Sequence, residues 1–265
     1  MTALGRLPEH LSVDDPSAPF TRRSWRYTTR RVLRRIREVL GDDPIFLPIV
    51  LRATPIGTAR RITDATELVV EGFPRSGNTF ATFAFEHAAT AAGTSHVVSS
   101  HVHTPSQVRL ALQQRFPTLV LVRPPLDTVA SLLIAAPHVR FDAAIKEYIH
   151  HYREIWPWRD RCVVATFDQV ITDFGAVTKR INTRFGTEFP CFETTPESTA
   201  AVFAAIEANH RILHGGTENV VPRPSPLRQA EKAWLVAQLT GPAHRDLLAV
   251  ADAVYADFAR VATST

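Results

Sequence analysis

The feature that most constrains this chain is a rhythm between residues 67 and 167. Short, uniformly apolar, β-branched runs alternate with longer stretches of helical periodicity. Leu68-Val69-Val70, His96-Val97-Val98, Thr118 to Val122 and Cys162 to Phe167 read as strands. Between them Asn78 to Ala92, Pro105 to Arg115, Pro124 to Ala135 and Phe141 to Trp156 read as helices. Beyond the fourth strand the pattern stays helical, over about 172–184, 197–213, 227–239 and 243–262. Strands that are apolar throughout and separated by helices imply parallel neighbours buried on both faces. The expectation is an α/β fold of three layers. It has a mostly parallel central sheet, helices on both faces and a largely helical C-terminal part. Ligands of such sheets bind beyond the carboxyl ends of the strands, so those ends are where chemistry is expected.

The 265 residues, 45% of them hydrophobic, suffice for a full core in one such domain. Two cysteines, Cys162 and Cys191, exclude a disulfide-built scaffold and a cysteine-rich structural zinc site. They fit a reducing, cytoplasmic setting. No apolar run reaches the roughly 18–20 residues of a spanning helix, and Met1 to Leu11 does not read as a secretory signal. The net charge of +4 is unevenly placed: Arg22 to Glu38 holds eight arginines and one acid. Residues 1–21, with Pro8, Pro16 and Pro19, read as an irregular arm. Residues 22–60 read as an Arg-rich helix and a connector, and 61–265 as the main domain. The helix, with Val32, Ile36 and Val39 on one face, either packs on the domain with its arginines solvated or lies against an anionic membrane surface through Arg22–Leu40. It has no aromatic ladder beyond Trp25 and Tyr27, so no nucleic-acid partner is expected.

Two segments stand at strand ends. Gly72-Phe73-Pro74-Arg75-Ser76-Gly77-Asn78-Thr79 joins the first strand to a helix. Its glycines allow the backbone to bend around an anion, and the amides of Ser76 to Thr79 open a helix N-terminus, where negative charge is favoured. The spacing is that of a phosphate-binding Walker loop, but Asn78 stands where that loop has Lys, and the cation is Arg75. The plain alternative is an ordinary strand-to-helix turn with Arg75 on the surface. The second segment, Arg123-Pro124-Pro125-Leu126-Asp127-Thr128-Val129-Ala130-Ser131, follows the third strand. Arg123 emerges at the sheet edge with Ser131 two turns into the next helix, so both could reach one phosphate. The alternative is that Arg123 pairs with Asp127 and Ser131 only packs.

Together these segments resemble the sulfotransferase family, whose members use 3′-phosphoadenosine-5′-phosphosulfate (PAPS) as sulfuryl donor on a P-loop-like fold. The resemblance lies in Pro74-Arg75-Ser76-Gly77-Asn78-Thr79 and in Arg123 eight residues before Ser131, and covers about residues 66–180. It implies that Arg75, Ser76, Gly77, Asn78 and Thr79 hold the 5′-phosphosulfate, and that Arg123 and Ser131 hold the 3′-phosphate. It implies Phe80 against the adenine, and Arg223 or Arg228 as a further cation. Phe167-Asp168 stands where the family has an aromatic-acid pair. It implies a catalytic His after the second strand. Here Ser100-His101 fits that step, with His103 as the nearby competitor, and Ser99 replaces the family's Lys. The implied reaction is sulfuryl transfer to a hydroxyl, less expectedly an amine, of a small-molecule, lipid or glycan acceptor, without a metal. His101 would be the general base and Arg75 would offset charge on the leaving phosphate. Tyr148, Tyr152, Trp156, Trp158 and Phe141 line an acceptor pocket or belong to the core. Two other readings stay open. One is a P-loop phosphotransferase or NTPase, with Cys162 to Asp168 as its magnesium-holding strand. The other is a non-catalytic protein on the same fold that binds a membrane surface or a partner.

Overall fold

The computed structural model of the chain describes residues 61–214 and 226–264. The expected N-terminal arm, Arg-rich helix and connector lie outside the described residues, as does Arg223. In chain order the elements are β1 (Leu68–Gly72), α1 (Asn78–Ala91), β2 (Val98–Ser100), α2 (Pro105–Gln113), β3 (Thr118–Val122), α3 (Pro125–Ala135) and α4 (Phe141–Ile155). They continue with β4 (Val163–Thr166), α5 (Phe167–Thr172), α6 (Phe174–Phe185), α7 (Pro196–His214), α8 (Gln229–Leu239) and α9 (Arg245–Ser264). The protein is α/β, as its sequence rhythm requires.

The four strands form one parallel sheet in the order β2-β1-β3-β4. Alternation along each strand sends side chains to opposite faces. Leu68, Val70, Leu119, Leu121, Val163 and Ala165 pack beneath α1, α6 and α7. Val120, Val122 and Val164 pack on the other face against α2, α3, α4, α8 and α9. All five positions of β1 and of β3 are buried, as a sheet covered on both sides demands.

The second strand differs from its expected span. It runs over Val98–Ser100 rather than His96–Val98, and Val97 is 47% exposed. Two serines enter the sheet because their hydroxyls find partners: Ser99 Oγ accepts from the buried Gln107 Nε2 at 2.7 Å, and Ser100 Oγ meets His101 Nδ1 at 2.7 Å. Strand propensity alone disfavours such positions; satisfied hydrogen bonds outweigh it.

This order positions the site. From β1 the chain passes through α1 on one face to β2, then through α2 on the other face to β3, which lies on the opposite side of β1. The connections leaving β1 and β3 therefore diverge to opposite faces and open a crevice at their carboxyl ends, the usual ligand position in sheets of this kind. Among the described residues no helix is long and apolar enough to cross a membrane.

The tyrosines of α4 belong to the core. Tyr148 and Tyr152 have no exposed surface, and Tyr152 packs on Phe258 of α9 at 5.2 Å between centroids. His151 beside them is 4% exposed and sits edge-on to Phe73 at 5.7 Å and to Tyr152 at 5.0 Å. Burial, with the nearby His103 and His150 charges, pushes its pKa down to about 3. Below the unfolded-state pKa near ~6.5 the unfolded chain binds a proton that the folded chain refuses, so stability falls as pH drops from there toward about 3. The expected slope is ~1.4 kcal/mol per pH unit, or ~2 kcal/mol between pH 6.5 and 5. Urea unfolding at both pH values checks it: a His151→Asn variant should lose that part of the slope, whatever its absolute stability. An identical slope in the variant would assign the acid sensitivity elsewhere.

Candidate active site

Gly72 ends β1 flush against β3. A Cβ there would lie 2.5 Å from the Leu121 carbonyl oxygen, so any side chain would push the strands apart. The following turn is tight, with the Ser76 amide donating to the Phe73 carbonyl at 3.2 Å. It then opens α1 through Gly77 at φ 101°, where a Cβ would also meet the Phe167 ring at 3.0 Å. Gly77 gives α1 no side-chain cap, so the first amides of the helix face outward as donors. The turn is braced from below. Tyr152 Oη donates to the Leu121 carbonyl at 2.7 Å, accepts the Phe73 amide at 3.3 Å and meets Ser76 Oγ at 3.2 Å. One phenol of α4 thus ties the turn to β3.

Three arginines converge on this turn. Arg75 Nε donates to Ser131 Oγ at 2.9 Å, and Arg123 Nη1 donates to the Arg75 carbonyl at 3.1 Å. The Arg123 guanidinium lies over the Phe167 ring, 4.1 Å from its centroid, and Tyr148 Oη holds the Arg123 carbonyl at 2.7 Å. Burial, together with the charges of Arg228 and Arg123, depresses the Arg75 pKa to about 10. Arg228, 8% exposed at the start of α8, is therefore close enough to be felt at Arg75. Burial likewise lowers the Arg123 pKa, opposed by Asp127 and Asp168. Asp127 takes Lys232 as its ion partner, not Arg123 as the plain sequence alternative had it. Cations crowded in a partly desolvated crevice repel one another, and a bound anion reverses that cost.

The histidines enter from β2. His101 Nε2 lies 3.0 Å from Thr79 Oγ1 in the first turn of α1. Its Nδ1 lies 2.7 Å from Ser100 Oγ. His103 Nδ1 donates to the Gly72 carbonyl at 2.8 Å, which fixes the tautomer of its neutral form. The two rings are 5.7 Å apart. Among the described residues, four that are not glycine have positive φ, and three of them are Arg75 (72°), His101 (62°) and His103 (57°). Each such residue costs about 1–2 kcal/mol, a strain that collects at functional sites.

The structure thus brings together Arg75, Ser76, Gly77, Thr79, His101, Arg123 and Ser131. It directs others elsewhere. Phe80 is 5% exposed and packs on Phe192 and Phe203, with centroids at 6.3 and 5.5 Å. The ring expected to meet an adenine is thus packed against protein. Asn78, 3% exposed, turns back under the loop to donate from Nδ2 to the Phe73 carbonyl at 3.3 Å. It braces the turn where a Walker loop would extend a Lys. Ser99, at the position of the family's Lys, is 1% exposed and held by Gln107. Glu71 and Tyr152 also bear on the site, although no motif marks Glu71 and spacing leaves Tyr152 between pocket and core. A single acid inside an otherwise apolar strand was the signal for the first. Among the described residues no group of three His, Cys, Asp or Glu side chains is gathered as a metal site.

No protein-family model matches the chain, and no curated protein does. Among solved structures it is similar to mouse sulfotransferase SULT7A1 complexed with PAP, at 12% sequence identity and a TM-score of 0.40. The similarity covers 74% of this chain and 91% of that one.

The bracing role of Tyr152 is testable without any ligand. Tyr152→Phe removes the phenol from three partners, two of them buried backbone groups, and should cost about 1–3 kcal/mol in urea unfolding. Ser76→Ala should add little in the Tyr152→Phe background, because the two hydroxyls share one bond. Full additivity would show that Ser76 is held by something else.

Proposed function

We propose that the chain is a sulfotransferase that moves a sulfuryl group from PAPS to the hydroxyl of an acceptor. The observation that carries this reading is that Arg75 and the His101 partner Thr79 share the β1–α1 connection, with Arg123 and Ser131 bound to the same arginine. The residues present fit an anionic nucleotide with two phosphate groups. Arg75 and the amides of Gly77 to Thr79 suit the 5′ end, the Ser76 amide being bonded to the Phe73 carbonyl, and Arg123, Ser131 and Arg228 suit the 3′-phosphate. Arg223 stays a candidate for the latter on the sequence resemblance alone.

In this reading the acceptor oxygen forms a bond to sulfur as the bond from sulfur to the phosphate oxygen breaks. His101 takes the acceptor's proton at Nε2, the atom now bonded to Thr79 Oγ1. The departing phosphate gains charge, which Arg75 and the loop amides offset. Ser100 at Nδ1 orients the ring. Acceptors of the small-molecule, lipid or glycan classes all offer such a hydroxyl. A cytoplasmic setting, with an anionic membrane surface met through Arg22–Leu40, belongs to the same proposal. The competing NTPase reading is disfavoured by Asn78, whose amide is spent on the Phe73 carbonyl instead of reaching a phosphate.

Two measurements test this. 3′-Phosphoadenosine-5′-phosphate should raise the melting temperature without magnesium, and by more than ATP does. Saturation at 100 times Kd adds about 2.7 kcal/mol. A shift with Mg-ATP and none with the bisphosphate would reject the reading and favour the NTPase.

With labelled donor and a panel of hydroxyl acceptors, His101→Ala should lower kcat by roughly 10²–10⁴-fold while nucleotide affinity stays nearly intact. His103→Ala should do much less. Arg123→Ala should weaken the bisphosphate by more than it weakens adenosine 5′-phosphosulfate, which lacks the 3′-phosphate. The reverse order for the histidines, or equal weakening of both nucleotides, would overturn the respective assignment.

A further inference from the structure

One ionisable side chain beside the site has no part in the chemistry above. Glu71 has no exposed surface and lies in β1, a central strand of the sheet. A carboxylate in that position persists only if its oxygens are satisfied. Oε1 accepts the Val102 amide at 2.8 Å, and Oε2 accepts the His103 amide at 2.9 Å. Gln107 Nε2 approaches Oε1 at 3.5 Å and donates to Ser99 Oγ at 2.7 Å. The carboxylate therefore fills the concavity formed by two successive amides that follow His101. A left-handed residue turns the amides after it toward one point, the geometry that elsewhere captures external anions. Here the φ of 62° at His101 precedes both amides and turns them together, and the chain's own acid occupies the concavity they form. Val102, between the two histidines, is 1% exposed, so the loop is anchored by packing as well as by charge.

We propose that Glu71 is a positioning residue for His101. Its buried carboxylate holds residues 101–103, with His101 and His103 left-handed, and thereby aims the imidazole at Thr79 and the β1–α1 turn. This rests on the reading of His101 as the base. The argument is geometric. His101 lies between the last β2 residue, Ser100, and the first clamped amide, Val102. Sheet pairing fixes one side of it and Glu71 the other, so its ring is left little angular freedom. Without the clamp, two strained residues would relax toward ordinary backbone regions and the ring would swing away from Thr79.

Glu71→Gln tests this. It keeps the length and one acceptor, but sets an NH₂ group against an amide that needs an acceptor. At saturating donor, kcat should fall about 10- to 100-fold while 3′-phosphoadenosine-5′-phosphate affinity stays within about threefold. In a His101→Ala background the same substitution should change the residual rate less than twofold, because it acts through a ring no longer present. A merely structural role would lower both backgrounds equally, which overturns the proposal, as does a wild-type kcat.

A second readout needs no activity. With ring-¹³C-labelled histidine, the His101 signal, identified by its loss in His101→Ala, should shift or split in Glu71→Gln. An unchanged signal overturns the proposal even if no transfer is ever detected. A changed signal without transfer in the native protein would leave the positioning role standing and reject the sulfotransferase reading. If Glu71→Gln does not fold, replacing Val102 by its α-hydroxy acid removes one clamped N–H and leaves Glu71 in place. The His101 signal must then move in the same way.

Discussion

A parallel sheet buried on both faces can present polar chemistry only at its ends, and the site is a consequence of that constraint. Along β1 and β3 every position is sealed from water. Charge can appear only where the strands stop, and the reversal of winding direction between β1 and β3 opens a crevice there. Glu71 is the exception inside the sheet, and it is tolerated because it accepts two backbone amides. Tyr152 performs the corresponding task from α4, satisfying the Phe73 amide and the Leu121 carbonyl. Both side chains turn an energetic liability into a fixed position for the loops above them.

Much of this was legible in the sequence because it follows from local rules. Apolar runs bounded by Gly and Pro mark the strands, and the third one matches its expected span of Thr118–Val122. The Gly-rich turn and the two arginines at strand ends were visible as spacing. The parts that were not legible depend on partners distant in sequence. The second strand is displaced because Ser99 and Ser100 find Gln107 and His101, which no propensity scale counts. Phe80 looked available to a base, but its ring meets Phe192 and Phe203, more than a hundred residues away in sequence. Ser131 also accepts a hydrogen bond from Arg75 Nε, a partner 56 residues away that its spacing from Arg123 does not show. The Arg-rich segment of 22–40 lies outside the described residues.

The electrostatics and the backbone strain point the same way. Arg75 is pressed by its own burial and by Arg123 and Arg228, each of which makes its charge harder to keep. Arg75 also sits at a positive φ, so backbone and side chain both carry cost at one residue. A fold that needed only a connection between β1 and α1 would have no reason to hold an arginine so. An anion in the crevice would turn mutual repulsion into shared attraction.

The same logic separates the two kinds of phosphate loop that this spacing allows. A Walker loop extends a lysine from the first helical residue to meet a phosphate from the helix side. Here that residue, Asn78, is folded beneath the turn and bonded to the Phe73 carbonyl. The cation comes instead from Arg75, within the turn, steadied by Ser131 through its Nε and by Arg123 through its carbonyl. Moving the positive charge from the helix into the turn leaves the first helical turn free for another use. Thr79 occupies that place and meets His101. An imidazole and a cationic turn then share one helix start, which is the arrangement the sulfotransferase proposal requires.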